Sequence, residues 1–318
     1  MAARCLCCQQ PVSEDGRYHA RCLKALWGKA AAPRIPFAAK DLPDKVTTSA
    51  EHMSISGVQA KALVRLNEDS GEVEFSPAGS THILKPEPNE YPGLPAMENA
   101  CMGMADALAM NVPPHGLFPM ADGRLCYIVK RFDRADDGGK IQSETMFQVL
   151  GAEDKYKGSL ESVGKAIRAH AENVGLDTID FFERVLLCFL IGNGDMHLKN
   201  WAFLIRGKKA ALAPVYDFVS SKVYIKRESD TALTINGKGD KLQRADFEGL
   251  AKNLKLDPRA AANSFAKMKG AQEKLRELAI YSELDPSMRQ EFEDVLGERF
   301  RRLFPVGNIH CENGLARV

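Results

Sequence analysis

Gly192-Asn193-Gly194-Asp195-Met196-His197-Leu198-Lys199-Asn200 follows the apolar run Phe181–Ile191 and precedes the strand-like stretch Trp201–Ile205. A carboxylate and a carboxamide five residues apart on one loop suit phosphoryl transfer. The carboxylate accepts the hydrogen bond of the substrate hydroxyl, and the neutral carbonyl oxygen holds Mg²⁺. Asp195 and Asn200 fit those two roles. A second magnesium carboxylate should follow on the next turn, and Ala213-Pro214-Val215-Tyr216-Asp217-Phe218 supplies Asp217 after the strand pair expected over 201–214. Alone, Asp-x-His is a common tripeptide whose bland reading is a solvated loop carboxylate. The Tyr216-Asp217 pair at this distance moves the reading to phosphoryl transfer.

Upstream, the order of elements is that of a small β-rich lobe. Ser54-Ile55-Ser56-Gly57-Val58-Gln59-Ala60-Lys61 leads through an apolar stretch to Leu66, turns over Asn67–Gly71, and returns as Val73-Glu74-Phe75. Thr81–Lys85 is a further strand with a lysine at its end. Such a lysine holds the α- and β-phosphates of ATP when a glutamate of the following helix orients it. Apolar spacing over Met97–Met110 predicts that helix, with Glu98 in its first turn. Cys126–Arg134 is an apolar strand running into charge, placed where the hinge between two lobes should fall. Residues 140–206 read as mainly helical. From Arg244 to Phe304 the spacing of Phe247, Leu250, Leu254, Leu275, Leu278, Phe292, Leu296, Phe300 and Leu303 predicts packed helices. Arg299, Arg301 and Arg302 read as a solvated helix face.

The composition bounds these readings. The 318 residues are 45% hydrophobic and 27% charged, enough for one large core or two lobes. A net charge of +1 gives no long-range electrostatic reason to expect nucleic-acid binding. The start lacks a signal-peptide h-region and no run of about 18 apolar residues occurs, so a cytoplasmic location is expected. Four of the eight cysteines, at 101, 126, 188 and 311, are scattered as reduced core residues would be.

The other four cysteines crowd the N-terminus. Cys5-x-x-Cys8 and His19-x-x-Cys22 each present two ligands to one tetrahedral Zn²⁺. Cys7 fits less well, because adjacent residues point apart. With all four positions filled by protein such a site is structural. Residues 28–50, proline-punctuated and weakly periodic, read as a connector draped over the next unit.

Taken together, Ser-Ile-Ser-Gly-Val-Gln-Ala-Lys, Thr-His-Ile-Leu-Lys-Pro, Asn-Val-Pro, Val-Lys-Arg-Phe-Asp-Arg, Gly-Asn-Gly-Asp-Met-His-Leu-Lys-Asn and Pro-Val-Tyr-Asp-Phe-Val-Ser, in this order over about residues 52–220, resemble the HipA-type serine/threonine kinase toxins. The short HipT-like members of split three-component systems are the most similar. The resemblance implies an α+β, bilobal, protein-kinase-like fold with a small β-rich N-lobe, a helical C-lobe and an N-terminal zinc knuckle. The corresponding divisions are a knuckle at 1–27, a connector at 28–50, the N-lobe and hinge at 51–134, the C-lobe at 135–304 and a tail at 305–318.

It also implies roles. Asp195 matches the catalytic aspartate, Asn200 and Asp217 the magnesium ligands, Lys85 the ATP-phosphate lysine with Glu98 as its partner, and Lys130, Arg131 and Phe132 the adenine-facing hinge. The hinge departs from the family, which often has a glutamate where this chain has Lys130, so only backbone contacts to adenine carry over. His197 and Lys199 of the catalytic loop, and Ser54, Ser56, Gly57 and Gln59 of the phosphate-facing loop, join the nucleotide-binding set. That loop has a single glycine. Ser54 and Ser56 match serines that the family autophosphorylates, and a phosphoserine there brings about −1.5 to −2 of charge to where ATP phosphates bind. The implied protein substrate is an aminoacyl-tRNA synthetase, and the implied partners are a small HipS-like antitoxin and a HipB-like helix-turn-helix protein. Two other readings stay open: a small-molecule kinase of the aminoglycoside-phosphotransferase type, which shares Gly-Asp-x-His-x-x-Asn, and a catalytically silent antitoxin-binding module.

Overall fold

A computed structural model describes residues 3–13, 16–42, 59–135 and 138–305. Ser54, Ser56, Gly57, Cys311 and the tail from 306 lie outside the described residues.

The first half of the chain builds one antiparallel sheet. After helix α1 (Ala20–Trp27) come β1 (Ala62–Asn67), β2 (Glu72–Phe75), β3 (His82–Lys85), helix α2 (Leu94–Ala107), β4 (His115–Pro119) and β5 (Leu125–Lys130), with strand order β2-β1-β3-β5-β4. Period-two alternation makes the sheet apolar on both faces. Along β5, Cys126 and Ile128 join the cluster with α1, while Tyr127 between them faces the other way into the main core with α2. The helix starts earlier than expected, at Leu94 rather than Met97, because Pro95 sits in its first turn, where its fixed φ is already helical. Glu98 therefore lies one turn in, buried beside the sheet, not at the exposed helix start.

The N-terminal segment is docked on that sheet. The Leu117 amide donates to the Leu6 carbonyl (2.9 Å), the Tyr18 hydroxyl donates to the Leu117 carbonyl (2.9 Å), and Tyr18 stacks on Phe118. The connector follows: Val73 donates its amide to the Arg34 carbonyl, and Phe37 lies on Phe75.

The second half is helical around a smaller sheet. The elements are β6 (Gln142–Thr145), α3 (Met146–Val149), α4 (Leu160–His170), α5 (Val174–Ile191), β7 (Ala202–Arg206), β8 (Lys209–Leu212), α6 (Ser221–Tyr224), α7 (Arg244–Asn253), α8 (Pro258–Gly270), α9 (Gln272–Ile280) and α10 (Pro286–Leu303), and β6 adds a third strand to the expected β7–β8 pair. Helix α5 is the axis: Phe181, Phe182 and every residue from Val185 to Ile191 are buried, so its second half is apolar all round. Gly192, in the left-handed region at φ 68°, ends it. No helix of the described residues is long and apolar enough to cross a membrane.

The arginine face expected on the last helix is corrected. Arg299 is 3% exposed and Arg302 is half-buried, and both guanidinium groups bond the carboxylate of buried Asp230. Arg301 alone of the three is exposed. Helical spacing turns two of the three inward, and a buried carboxylate requires their charge.

Candidate functional site

The carboxyl end of α5 and the sheet of the first half meet across a cleft, and the geometry of that cleft follows from local backbone. Past Gly192 the loop cannot carry a side chain at Gly194, where a Cβ would fall 2.5 Å from the Glu228 carboxylate and 2.6 Å from the Ser229 carbonyl oxygen. The Gly194 amide donates to Ser221 Oγ (2.8 Å), and that hydroxyl donates to Glu228 (2.5 Å). Burial, with the charge of Asp195 nearby, lifts the Glu228 carboxyl to about 7. Asp195 comes next. The Asn193 side chain accepts from its amide, its own carbonyl accepts from the His197 amide, and a short 3₁₀ turn over Leu198–Asn200 closes the loop.

Around this loop lies a cavity of about 280 Å³ lined by Ile83, Met102, Val129 and Ala202 on its apolar side and by Lys61, Lys85, Glu98 and Asp217 on its polar side. Lys130, Arg131, Phe132 and Lys199 also line it. A small recess of about 20 Å³ adjoins it, reached by Gln59, Lys85, Glu98, Asp195 and Asp217. The described residues of the expected set thus fall around one cleft, save two that line neither space. His197 is buried, stacked edge-on against Tyr156, and burial reinforced by Lys155 pushes it down to about 3, so it is neutral near pH 7. Asn200 is 5% exposed.

Lys85 is the electrostatic centre. Its ammonium lies 2.5 Å from Glu98 Oε1 and 2.5 Å from Asp217 Oδ1, and Lys61 stands 3.9 Å from Asp217 Oδ2. Burial disfavours the Lys85 ammonium, but the two carboxylates overcome that and hold its pKa above the ordinary lysine range. Burial likewise works against the Asp217 carboxylate, and Lys61 and Lys85 outweigh it, leaving it well below the usual range. For Glu98 burial wins and raises it, with Lys85 opposing. Asp217 sits in the left-handed region at φ 55°, a conformation that few residues other than glycine adopt and that tends to persist where surrounding structure imposes it.

The cleft suits a magnesium–polyphosphate ligand. Asn200 Oδ1 is buried with no hydrogen-bond partner among the described residues, as a carbonyl reserved for a hard cation would be. Asp217 is the ionised carboxylate that such a cation also needs, and Lys61 and Lys85 are cations for phosphate oxygens.

The N-terminal cluster is a second candidate site. The ligand atoms of Cys5, Cys8, His19 and Cys22 all lie within 4.8 Å of one another. His19 Nε2 is 2.9 Å from the Pro11 carbonyl, which fixes the proton on that nitrogen and leaves Nδ1, 3.3 Å from Cys8 Sγ, as the donor. Cys7 is not one of the four: its sulfur packs against β4, where a Cβ on Gly116 would meet it at 2.5 Å.

Sequence reasoning missed two partners. Lys61 stood in a quoted segment without a role. Tyr156, whose hydroxyl donates to Asp195 Oδ1 (2.9 Å), lies 39 residues upstream in a stretch with no motif.

Comparison with known proteins adds the following. The profile of the HipA-like C-terminal domain matches residues 53–275. A Haemophilus influenzae protein named as a candidate kinase is 30% identical over 217 residues, 64% of this chain and 63% of its own length. The Shewanella oneidensis serine/threonine-protein kinase toxin HipA is 26% identical over 221 residues, 62% of this chain and 50% of its own length. The chain thus spans half to 63% of the length of these relatives. The fold is similar to that in the Shewanella oneidensis HipA–HipB–operator DNA complex, with a TM-score of 0.67, 22% identity, and coverage of 82% of this chain and 67% of that one.

Proposed function

The chain belongs to the HipA-like C-terminal domain family, and we propose that it is an ATP-dependent serine/threonine protein kinase and the toxin of a toxin–antitoxin system. One observation carries the reading: Lys85, held between Glu98 and Asp217, faces the same cleft as Asp195.

In this mechanism the adenine ring lies against Ile83, Met102, Val129 and Ala202, beside the hinge at Lys130–Phe132. The amides of Lys130 and Arg131 already donate within the sheet, to the carbonyls of Pro114 and Thr81, so adenine is read by the remaining backbone groups of the hinge. Lys85, oriented by Glu98, takes the α- and β-phosphates, and Lys61 neutralises further phosphate charge. Asn200 and Asp217 would hold Mg²⁺, which would supply charge stabilisation at the γ-phosphoryl group. Asp217, bonded to Lys85 here, would be the carboxylate that holds the cation. Asp195 accepts the hydrogen bond of the acceptor hydroxyl. The hydroxyl oxygen bonds to the γ-phosphorus as the bond to the β-phosphate oxygen breaks, ADP leaves, and the hydroxyl proton passes to Asp195.

The finer readings are that Cys5, Cys8, His19 and Cys22 hold a structural Zn²⁺, that Ser54 and Ser56 are self-phosphorylated and thereby shut the kinase down, that the cellular substrate is an aminoacyl-tRNA synthetase, and that HipS-like and HipB-like proteins neutralise the kinase. The test is incubation of the unphosphorylated protein with ATP and Mg²⁺ beside an Asp195→Gln variant, followed by intact mass and phosphopeptide mapping. Phosphate on Ser54 or Ser56 in the wild type alone supports the reading. ATP turnover only on addition of small-molecule hydroxyl compounds, with neither serine modified, overturns it in favour of a small-molecule kinase.

A further inference from the structure

The catalytic loop is gripped from a side that the transfer scheme does not use. The turn Asp154–Lys157 precedes α4, and Asp154 fixes it, its carboxylate accepting from the Tyr156 amide (2.9 Å) and its carbonyl from the Lys157 amide (3.2 Å). That turn touches the loop at successive points. The Lys155 carbonyl accepts from the Leu198 amide (3.0 Å), the Tyr156 ring meets His197 edge-on at 5.2 Å, and the Tyr156 hydroxyl donates to Asp195 Oδ1 (2.9 Å). His197 is buried and gives the ring a fixed wall.

A carboxylate that must take a proton from an approaching hydroxyl has to present one oxygen in one direction, and a loop aspartate can rotate about two side-chain bonds. A phenol held at both its backbone and its ring removes that freedom, and a hydrogen bond to an ionised oxygen is among the stronger kinds. We infer that Tyr156 is a positioning residue for phosphoryl transfer: by holding Asp195 at Oδ1 it fixes the direction in which that carboxylate meets the acceptor hydroxyl. This rests on the kinase reading above and extends it to a residue that no motif marks. Lys155, one residue earlier, sets its ammonium 4.9 Å from the centroid of the Tyr156 ring and its charge acts on Asp195.

The experiment compares wild type, Tyr156→Phe, Asp195→Asn and the double variant as full chains. ADP release from Mg²⁺–ATP, which registers transfer to any acceptor including water, is measured against ATP concentration. In Tyr156→Phe the maximal rate falls about 10- to 100-fold, while the half-saturating ATP concentration stays at the wild-type value. An unchanged rate overturns the inference. So does a faster Phe variant, which would make the hydroxyl a competitor for the acceptor's place, and so does phosphate mapped to Tyr156, which would make it an acceptor. In urea unfolding the four proteins form a double-mutant cycle that needs no activity. Non-additive effects are expected, and additive effects overturn the contact. Were wild type to release no ADP above the Asp195→Asn background, phosphoryl transfer itself would have failed and the positioning role with it. Coupling retained in the cycle would separate that failure from a failure of the contact.

Discussion

The N-terminal knuckle and the central cleft each crowd ionisable groups into a few ångströms, and they do so in opposite ways. In the knuckle all four donors converge on one point, and Pro11 has already set the tautomer of His19. In the cleft the groups neutralise one another: Lys85 is bonded to both Glu98 and Asp217, and Lys61 stands beside Asp217. The knuckle is arranged as the proposed resident Zn²⁺ would need, and the cleft as the proposed nucleotide, which would displace ion pairs on arrival, would need. The difference also shows in chain distance. The four knuckle donors fall within 18 residues, whereas the cleft gathers positions 61, 85, 98, 156, 195 and 217.

The contrast breaks most visibly at Lys85. Lys85→Met leaves Glu98 as a buried carboxylate without its cation, so unfolding in urea should show a loss of about 3 to 5 kcal/mol, together with loss of ADP release. A loss under about 1 kcal/mol, as for an exposed pair, would mean that the cleft is not preloaded with charge. In the knuckle, Cys22→Ser should release the metal and lower the melting temperature, whereas Cys7→Ser should keep one Zn²⁺ per chain by elemental analysis. Metal retained by Cys22→Ser and lost from Cys7→Ser would reverse the ligand assignment.

A smaller effect concerns Glu228, whose folded-state pKa of about 7 lies above its unfolded value. The folded chain binds that proton more tightly, so the contribution is full below the unfolded pKa and is lost as pH rises through about 7. Wild-type stability should fall over that window, and Glu228→Gln should flatten the slope. An identical slope in both proteins would place the titration elsewhere. The smallest effect is expected at the tie between the knuckle and helix α9. Arg4, its side chain 14% exposed, bonds Glu277, which is 37% exposed (3.0 Å), and lies over the Tyr281 ring at 3.8 Å. Arg4→Ala should cost about 1 kcal/mol or less in urea unfolding and leave zinc content unchanged.

What could be read in the sequence follows the same division. The clustering of Cys5, Cys8, His19 and Cys22 is legible because tetrahedral coordination imposes short fixed spacings, and the meeting of Asp195 and Asp217 at one recess because one loop and the next turn carry them, whereas Asn200 lines neither space. The strands were legible from alternation, and α5 from the length of its apolar run. Glu98 was found, but its depth was not, since Pro95 rather than apolar spacing sets where α2 begins. Arg299 and Arg302 were misread because a run of arginines does not reveal that Asp230, some 70 residues earlier, is buried beneath them. Tyr156 left no trace, because its meaning is a contact across 39 residues made by a turn with no motif.

The most direct measurement is ADP release from Mg²⁺–ATP by wild type and Asp195→Asn, with nucleotide affinity determined by calorimetry on the same preparations. A positioned base contributes about 10²- to 10⁴-fold, so release should fall by that factor in the variant while affinity for ATP holds. Equal release by the two proteins, or binding of ATP lost along with it, would contradict a cleft in which Asp195 serves the acceptor hydroxyl and Lys85 the phosphates.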